Sequence, residues 1–137
     1  MNKHQTGTVS ELLAASYFVQ NGYQVSKPIT DFSEYDLVVD NGNLYRVQTK
    51  TIYWDKNKKR YLISCVTSHI RGNLRRYNKK YCTESFDLLL AVEPESLATY
   101  LIPIEKVAGR RSITVYPKEK PSTVRNRFGD YEQHRVR

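Results

Sequence analysis

The sequence predicts a single α/β domain. Three stretches carry that expectation: an apolar-faced helix at Thr6–Gln20, a β-hairpin spanning Tyr35–Trp54, and an unbroken apolar strand at Phe86–Val92. At 137 residues the chain is long enough for one buried core and too short for two. Hydrophobic residues make up 39% and charged residues 26%, a globular balance, so most of the chain should fold. The net charge of +8 is high for this length and points to a polyanionic partner, nucleic acid ahead of a membrane surface. No apolar run approaches the roughly 18 residues of a membrane span, and the opening MNKHQTGTVS has no signal-peptide core, so the expected location is cytoplasmic. Cys65 and Cys82 belong to no C-x-x-C pair and read as reduced, partly buried thiols.

In chain order, Leu12, Leu13, Ala15, Tyr17 and Val19 give the first helix a broad apolar surface, and Asn21-Gly22 stops it. The spacing Gly7-x-x-x-Glu11 places Glu11 about one turn into that helix. Taken alone such a glutamate serves the positive helix N-terminus; beside the hairpin it becomes a candidate metal ligand. Tyr23–Ser26 is a short strand ended by Lys27-Pro28, and residues 29–34 form a loop. Tyr35–Asp40 is β-branched and apolar in its middle, Asn41-Gly42 is a two-residue turn, and Asn43–Trp54 is the return strand. Pairing across the turn brings Asp36 level with Gln48, and alternation puts Gln48 and Lys50 on one face with Leu44, Arg46 and Ile52. Asp40 abuts the turn and takes a turn role, whereas Asp36 flanks an otherwise apolar strand. Asp31 and Glu34 on the preceding loop are weaker ligand candidates. A carboxylate, a second oxygen ligand and an ammonium on adjacent strands are the minimum kit for metal-assisted phosphodiester cleavage.

Lys56, Lys58, Lys59 and Arg60 form a basic hairpin tip, after which Tyr61–Thr67 returns as a strand. Ser68–Tyr81 then carries Arg71, Arg75, Arg76, Lys79 and Lys80, with Tyr77 and Tyr81 interleaved. The window Asp55–Lys80 holds nine basic residues and one acidic, so the rest of the chain is formally neutral. Charge concentrated in this way, with tyrosines able to lie on sugar or base faces, reads as a DNA-backbone surface made of those nine cations. Phe86–Val92 reads as a strand buried on both faces, and Asp87 at its head fits either a site carboxylate or a solvated strand end. Leu97–Ile104 and Ser112–Tyr116 add strands. From Glu105 onward nine Lys or Arg face four acidic residues; residues 105–137 read as a basic C-terminal extension of the single domain 1–137, and Lys118–Arg137 as an arm that orders on a partner. His4, His69 and His134 have no paired spacing and read as surface residues.

A helix with Gly-x-x-x-Glu, a short strand, a strand headed by Asp36, a strand carrying Gln48-x-Lys50 and further strands follow one another over about residues 6–104. That order resembles the PD-(D/E)XK nuclease superfamily in its QxK variant. Tyr35 stands where the motif has proline, and Gln48 where most members have a carboxylate. Within the superfamily the chain looks most like the homing-endonuclease branch encoded by cyanobacterial group I introns, with Holliday-junction-resolvase-like relatives next. The resemblance implies a restriction-endonuclease-like αβββαβ core with a mixed central sheet. It also implies site-specific, Mg²⁺-dependent cleavage of double-stranded DNA, with Mn²⁺ a substitute and Ca²⁺ a non-supporting occupant. Asp36, Gln48, Glu11 and the Thr49 carbonyl would be the metal ligands, and Lys50 would join Asp36, Gln48 and Glu11 in catalysis. Cutting both strands implies at least a homodimer; a chain this small reading a long target needs more copies or extended arms, and the resemblance to the homing branch suggests a tetramer. Two other readings compete: a structure-specific junction resolvase on the same fold, and a nucleic-acid-binding module whose site has decayed, for which the neutral Gln48 is the best argument.

Overall fold

The computed structural model describes residues 1–71, 75–117 and 131–137, with the backbone alone at 68–71 and 75–78. Its first element, α1 (Lys3–Gln20), begins before the expected Thr6 because Asn2 and Gln5 form a reciprocal cap. The Asn2 side chain accepts from the Gln5 amide at 2.9 Å, and the Gln5 side chain accepts from the Asn2 amide at 2.9 Å. The earlier start moves Glu11 to mid-helix. It therefore has no part in capping, contrary to its expected place one turn in.

Among the described residues ten strands follow: β1 (Gln24–Ser26), β2 (Leu37–Asp40), β3 (Leu44–Thr51), β4 (Tyr53–Asp55), β5 (Arg60–Ser64), β6 (Val66–Arg71), β7 (Arg75–Lys80), β8 (Leu88–Val92), β9 (Thr99–Pro103) and β10 (Ser112–Val115). Short 3-10 turns lie at Ile104–Lys106 and Tyr131–His134. The central sheet runs β1-β2-β3-β8-β9, antiparallel throughout except for the parallel pair β3–β8. This is the mixed sheet expected. The second helix of the αβββαβ pattern is not found among the described residues. The crossover from β3 to its parallel neighbour β8 carries β4 to β7 instead, because Arg60–Thr67 is rich in β-branched and aromatic residues and its strands pair in hairpins. Strands β4, β5 and β10 form a second small sheet, and β6–β7 a two-stranded ribbon.

The β2–β3 connection is a three-residue loop, Asn41 to Asn43, since Asp40 pairs with Leu44. Gly42 takes the positive φ of 109° that this loop requires, and its amide donates to Asp40 Oδ1 at 2.8 Å, so Asp40 does hold the turn. One face of the central sheet packs on α1 through Ala14, Phe18, Leu37, Val39, Val47, Leu90 and Val92. The other face packs Leu89, Ala91, Tyr100 and Ile102 against Ile63 and Ile113 from the second sheet. Strand β8 thus lies buried on both faces, as its unbroken apolar run requires.

Residues 131–137 are packed against the sheet and do not hang free. Tyr131 and Glu132 are buried, the Tyr100 hydroxyl donates to Glu132, and the Val136 amide donates to the Thr99 carbonyl at 2.8 Å. Residues 118–130 of the expected arm lie outside the described residues. Among the described residues no helix is long and apolar enough to cross a membrane.

Candidate active site

The β2–β3 ladder sets the site. Leu37 pairs with Val47 and the Asp36 amide donates to the Val47 carbonyl at 2.8 Å, so Asp36 stands at the head of β2 level with Gln48, as the sequence suggested. Asp36 Oδ2 accepts two hydrogen bonds from Thr49, from its amide at 3.0 Å and its hydroxyl at 2.8 Å. These fix the carboxylate and leave Oδ1 without a protein donor among the described residues. Gln48 Nε2 donates to the Thr49 carbonyl at 3.4 Å, a long bond that a turn of the amide would exchange for an oxygen facing the same way.

Lys50 lies on the same strand face as Gln48. Its ammonium donates to the Val66 carbonyl at 2.9 Å and sits 5.4 Å from the centre of the Tyr81 ring. Burial pushes the Lys50 pKa below its ordinary value, and the Asp36 carboxylate opposes that push. Gln48, Thr49 and Lys50 line a cavity of about 410 Å³ together with Lys3, Gly7 and Tyr81. Asp36 lines a neighbouring cavity of about 350 Å³ with Glu11, Lys27 and Tyr35. Glu11 therefore reaches the Asp36 side of the site, yet its carboxylate pairs with Lys27 at 2.6 Å. Asp31 lines that cavity too, while Glu34 pairs with Lys79 at 3.1 Å.

Among the described residues, no group of three or more His, Cys, Asp or Glu side chains is placed to share a metal ion. A cation here would depend on Asp36, the Gln48 amide oxygen and the Thr49 carbonyl. That all-oxygen set with a single carboxylate fits a small hard cation that keeps much of its water shell.

The nine candidate DNA contacts divide. Lys56, Lys58 and Lys59 are exposed at the β4–β5 tip, and Lys80 is exposed at the end of β7. Arg60 is not a free cation of that tip: it pairs with Asp55 at 3.2 Å. Lys79 is shared with Glu34. Arg71 and Arg75 face each other across the β6–β7 ribbon and Arg76 pairs with Ile70, their side chains lying outside the described residues, as does that of His69.

Other candidates take structural places. Asp87 accepts from the Arg46 amide at 2.8 Å and pairs with its guanidinium at 3.3 Å. Burial raises the Asp87 carboxyl, and these Arg46 contacts outweigh it and hold the group below the usual carboxylate range. His4 is exposed, and His134 leans against the Tyr131 ring. Both cysteines are free thiols: Cys65 is buried, which lifts it to about 11, and Cys82 is exposed, not partly buried. Tyr81, expected on the DNA face, is 3% exposed and packs edge-on against Phe86 with ring centres 4.8 Å apart. Sequence reasoning missed Tyr81, Lys3 and the Val66 carbonyl as walls of the site. Nothing in their spacing signals it, because they reach Lys50 from separate elements.

A carboxylate stands at the head of one strand, a Gln-x-Lys pair on the next, and a helix packs behind them, in the order that the sequence predicts. The chain belongs to the PD-(D/E)XK endonuclease family, whose profile matches residues 1–136. It is therefore a nuclease, with DNA as the substrate its family implies and with the divalent-metal chemistry general to that family. Among solved structures the chain is similar to the bacterial homing endonuclease I-Ssp6803I, with a TM-score of 0.82 and 21% identity over 98% of this chain and 89% of that one. No curated protein sequence matches it.

Proposed function

We propose that the protein is a Mg²⁺-dependent, site-specific double-strand DNA endonuclease of the homing type, acting in the cytoplasm as a homo-oligomer. The observation that carries this reading is the fixed opposition of Asp36 and Gln48, with the half-buried Lys50 ammonium on the same strand face. Asp36, Gln48 and the Thr49 carbonyl would hold Mg²⁺, which supplies Lewis-acid activation of the scissile phosphate and its attacking water. Thr49 aims the carboxylate through two hydrogen bonds. Lys50 donates to the attacking water or to a phosphate oxygen, and its lowered pKa eases proton exchange at Nζ. Lys56, Lys58, Lys59 and Lys80, with Arg71, Arg75 and Arg76 on the ribbon, neutralise phosphates along the duplex. The fold shared with I-Ssp6803I along nearly the whole chain supports the homing branch over the junction resolvases. Two cuts need two sites, so a dimer is the smallest competent assembly and a tetramer the proposed one.

One observation favours a second reading, a binding module with a decayed site: the residue opposite Asp36 across the β2–β3 ladder is the neutral Gln48. Duplex and four-way-junction substrates incubated with Mg²⁺, Mn²⁺ or Ca²⁺ separate the cases. Sequence-dependent duplex cleavage in Mg²⁺ and Mn²⁺, with binding alone in Ca²⁺, supports the homing nuclease. Sequence-blind cutting of junctions makes it a resolvase, and tight binding with no cleavage in any metal makes it a binding module.

A further inference from the structure

Lysine carries a long, freely rotating side chain that loses rotamer entropy when fixed, so a lysine held in one place needs something to hold it. Around Lys50 two groups do so: the Val66 carbonyl at 2.9 Å and the Tyr81 ring at 5.4 Å, the latter within cation–π reach. Val66 pairs with Lys80 as the first rung of the β6–β7 ribbon, and Tyr81 is the next residue after that rung. Both groups therefore stand at the foot of the strand pair that carries Arg71, Arg75, Arg76, Lys79 and Lys80.

That foot is pinned. The Gly109 amide donates to the Tyr81 carbonyl at 2.9 Å, and the Cys65 amide donates to the Arg111 carbonyl at 2.9 Å. The Tyr81 ring is locked edge-on against Phe86, which is fully buried. The ribbon projects from a rigid base, and the base grips the site lysine.

We propose that Tyr81, with the Val66 carbonyl, is a positioning residue for Lys50: the root of the basic ribbon sets where the catalytic ammonium sits, so DNA-contacting ribbon and site lysine move as one unit. The proposal rests on the nuclease reading for the role of Lys50, but its placement is readable without any cleavage. In the metal-free protein, the Tyr81 ring face displaces the Lys50 ε-methylene proton resonances upfield. Tyr81→Phe keeps the ring and the displacement; Tyr81→Leu and the less branched Tyr81→Met abolish it. With duplex DNA under single-turnover conditions, the Leu and Met variants cleave about tenfold more slowly at unchanged duplex affinity, and the Phe variant restores the rate. An undisplaced Lys50 resonance in the wild-type protein overturns the proposal before any variant is made. It is also overturned if Phe fails as Leu does, or if Leu cleaves at the wild-type rate. A wild-type protein that cleaves nothing sinks the nuclease reading, and the resonance measurement still decides the placement.

Discussion

The two faces of β3 are made from alternate residues of one eight-residue strand, and they do different work. Toward α1, Val47 is fully buried among Phe18, Leu37, Val39 and Leu90. On the opposite face Gln48 and Lys50 stand half-buried at an open cavity, next to their parallel partners Leu89 and Ala91. Further along, the helix face itself turns polar. Thr49 ties down Asp36, and the Thr51 hydroxyl meets that of the buried Ser10 at 2.7 Å. A period of two lets one strand anchor the fold with one set of side chains and present chemistry with the other. Damage to one face should therefore read out as stability and damage to the other as activity.

The largest break comes from the packed face. Phe18→Ala removes a fully buried ring and should cost about 3–5 kcal/mol in chemical denaturation, activity falling only as the fold is lost. On the open face, Lys50→Ala should leave stability within about 1 kcal/mol and lower the cleavage rate roughly 100-fold or more at equal duplex affinity. Comparable losses of stability and rate in both variants would erase the distinction. Gln48→Glu sharpens it: a second carboxylate facing Asp36 should lower the Mg²⁺ concentration needed for half-maximal cleavage without raising the melting temperature.

Smaller effects lie at the margins of the strand. The Asp87 carboxyl sits below its ordinary 3.8 through Arg46, so its contribution to stability is complete above that value and lost as pH falls through its folded value. Melting curves of wild type and Asp87→Asn should converge on acidification; a constant gap would contradict this. Replacing Lys56, Lys58 and Lys59 by alanine should flatten the salt dependence of duplex binding by about 0.9 per lost phosphate contact, with no change in folding.

Much of this was legible in the sequence because it is local. The alternation of Leu37–Asp40 and Leu44–Thr51, with glycine near the turn, places Asp36 beside Gln48 whichever sheet they join. The apolar run of β8 announces burial on both faces. What was not legible depends on distant partners. Glu11 is claimed by Lys27, Arg60 by Asp55, and Asp87 by Arg46, and no spacing rule foretells which cation a carboxylate meets. Helix α1 starts earlier than its apolar pattern predicts because Asn2 and Gln5 cap it. The basic neighbours of Tyr81 predict a DNA contact, whereas its ring is held inside by Phe86. The αβββαβ pattern implies a second helix, which the described residues do not show, whereas the strand over Tyr61–Thr67 is legible in its own β-rich composition.

The cation site proposed beside Lys50 consists of Asp36, Gln48 and the Thr49 carbonyl. Anomalous diffraction from crystals soaked in Mn²⁺ tests it most directly. One peak within bonding distance of the Asp36 carboxylate and the Gln48 amide oxygen, lost in Asp36→Ala crystals, is the expected result. A peak held by Glu11 or Asp31 without Gln48, or no peak at Asp36 at all, would contradict it.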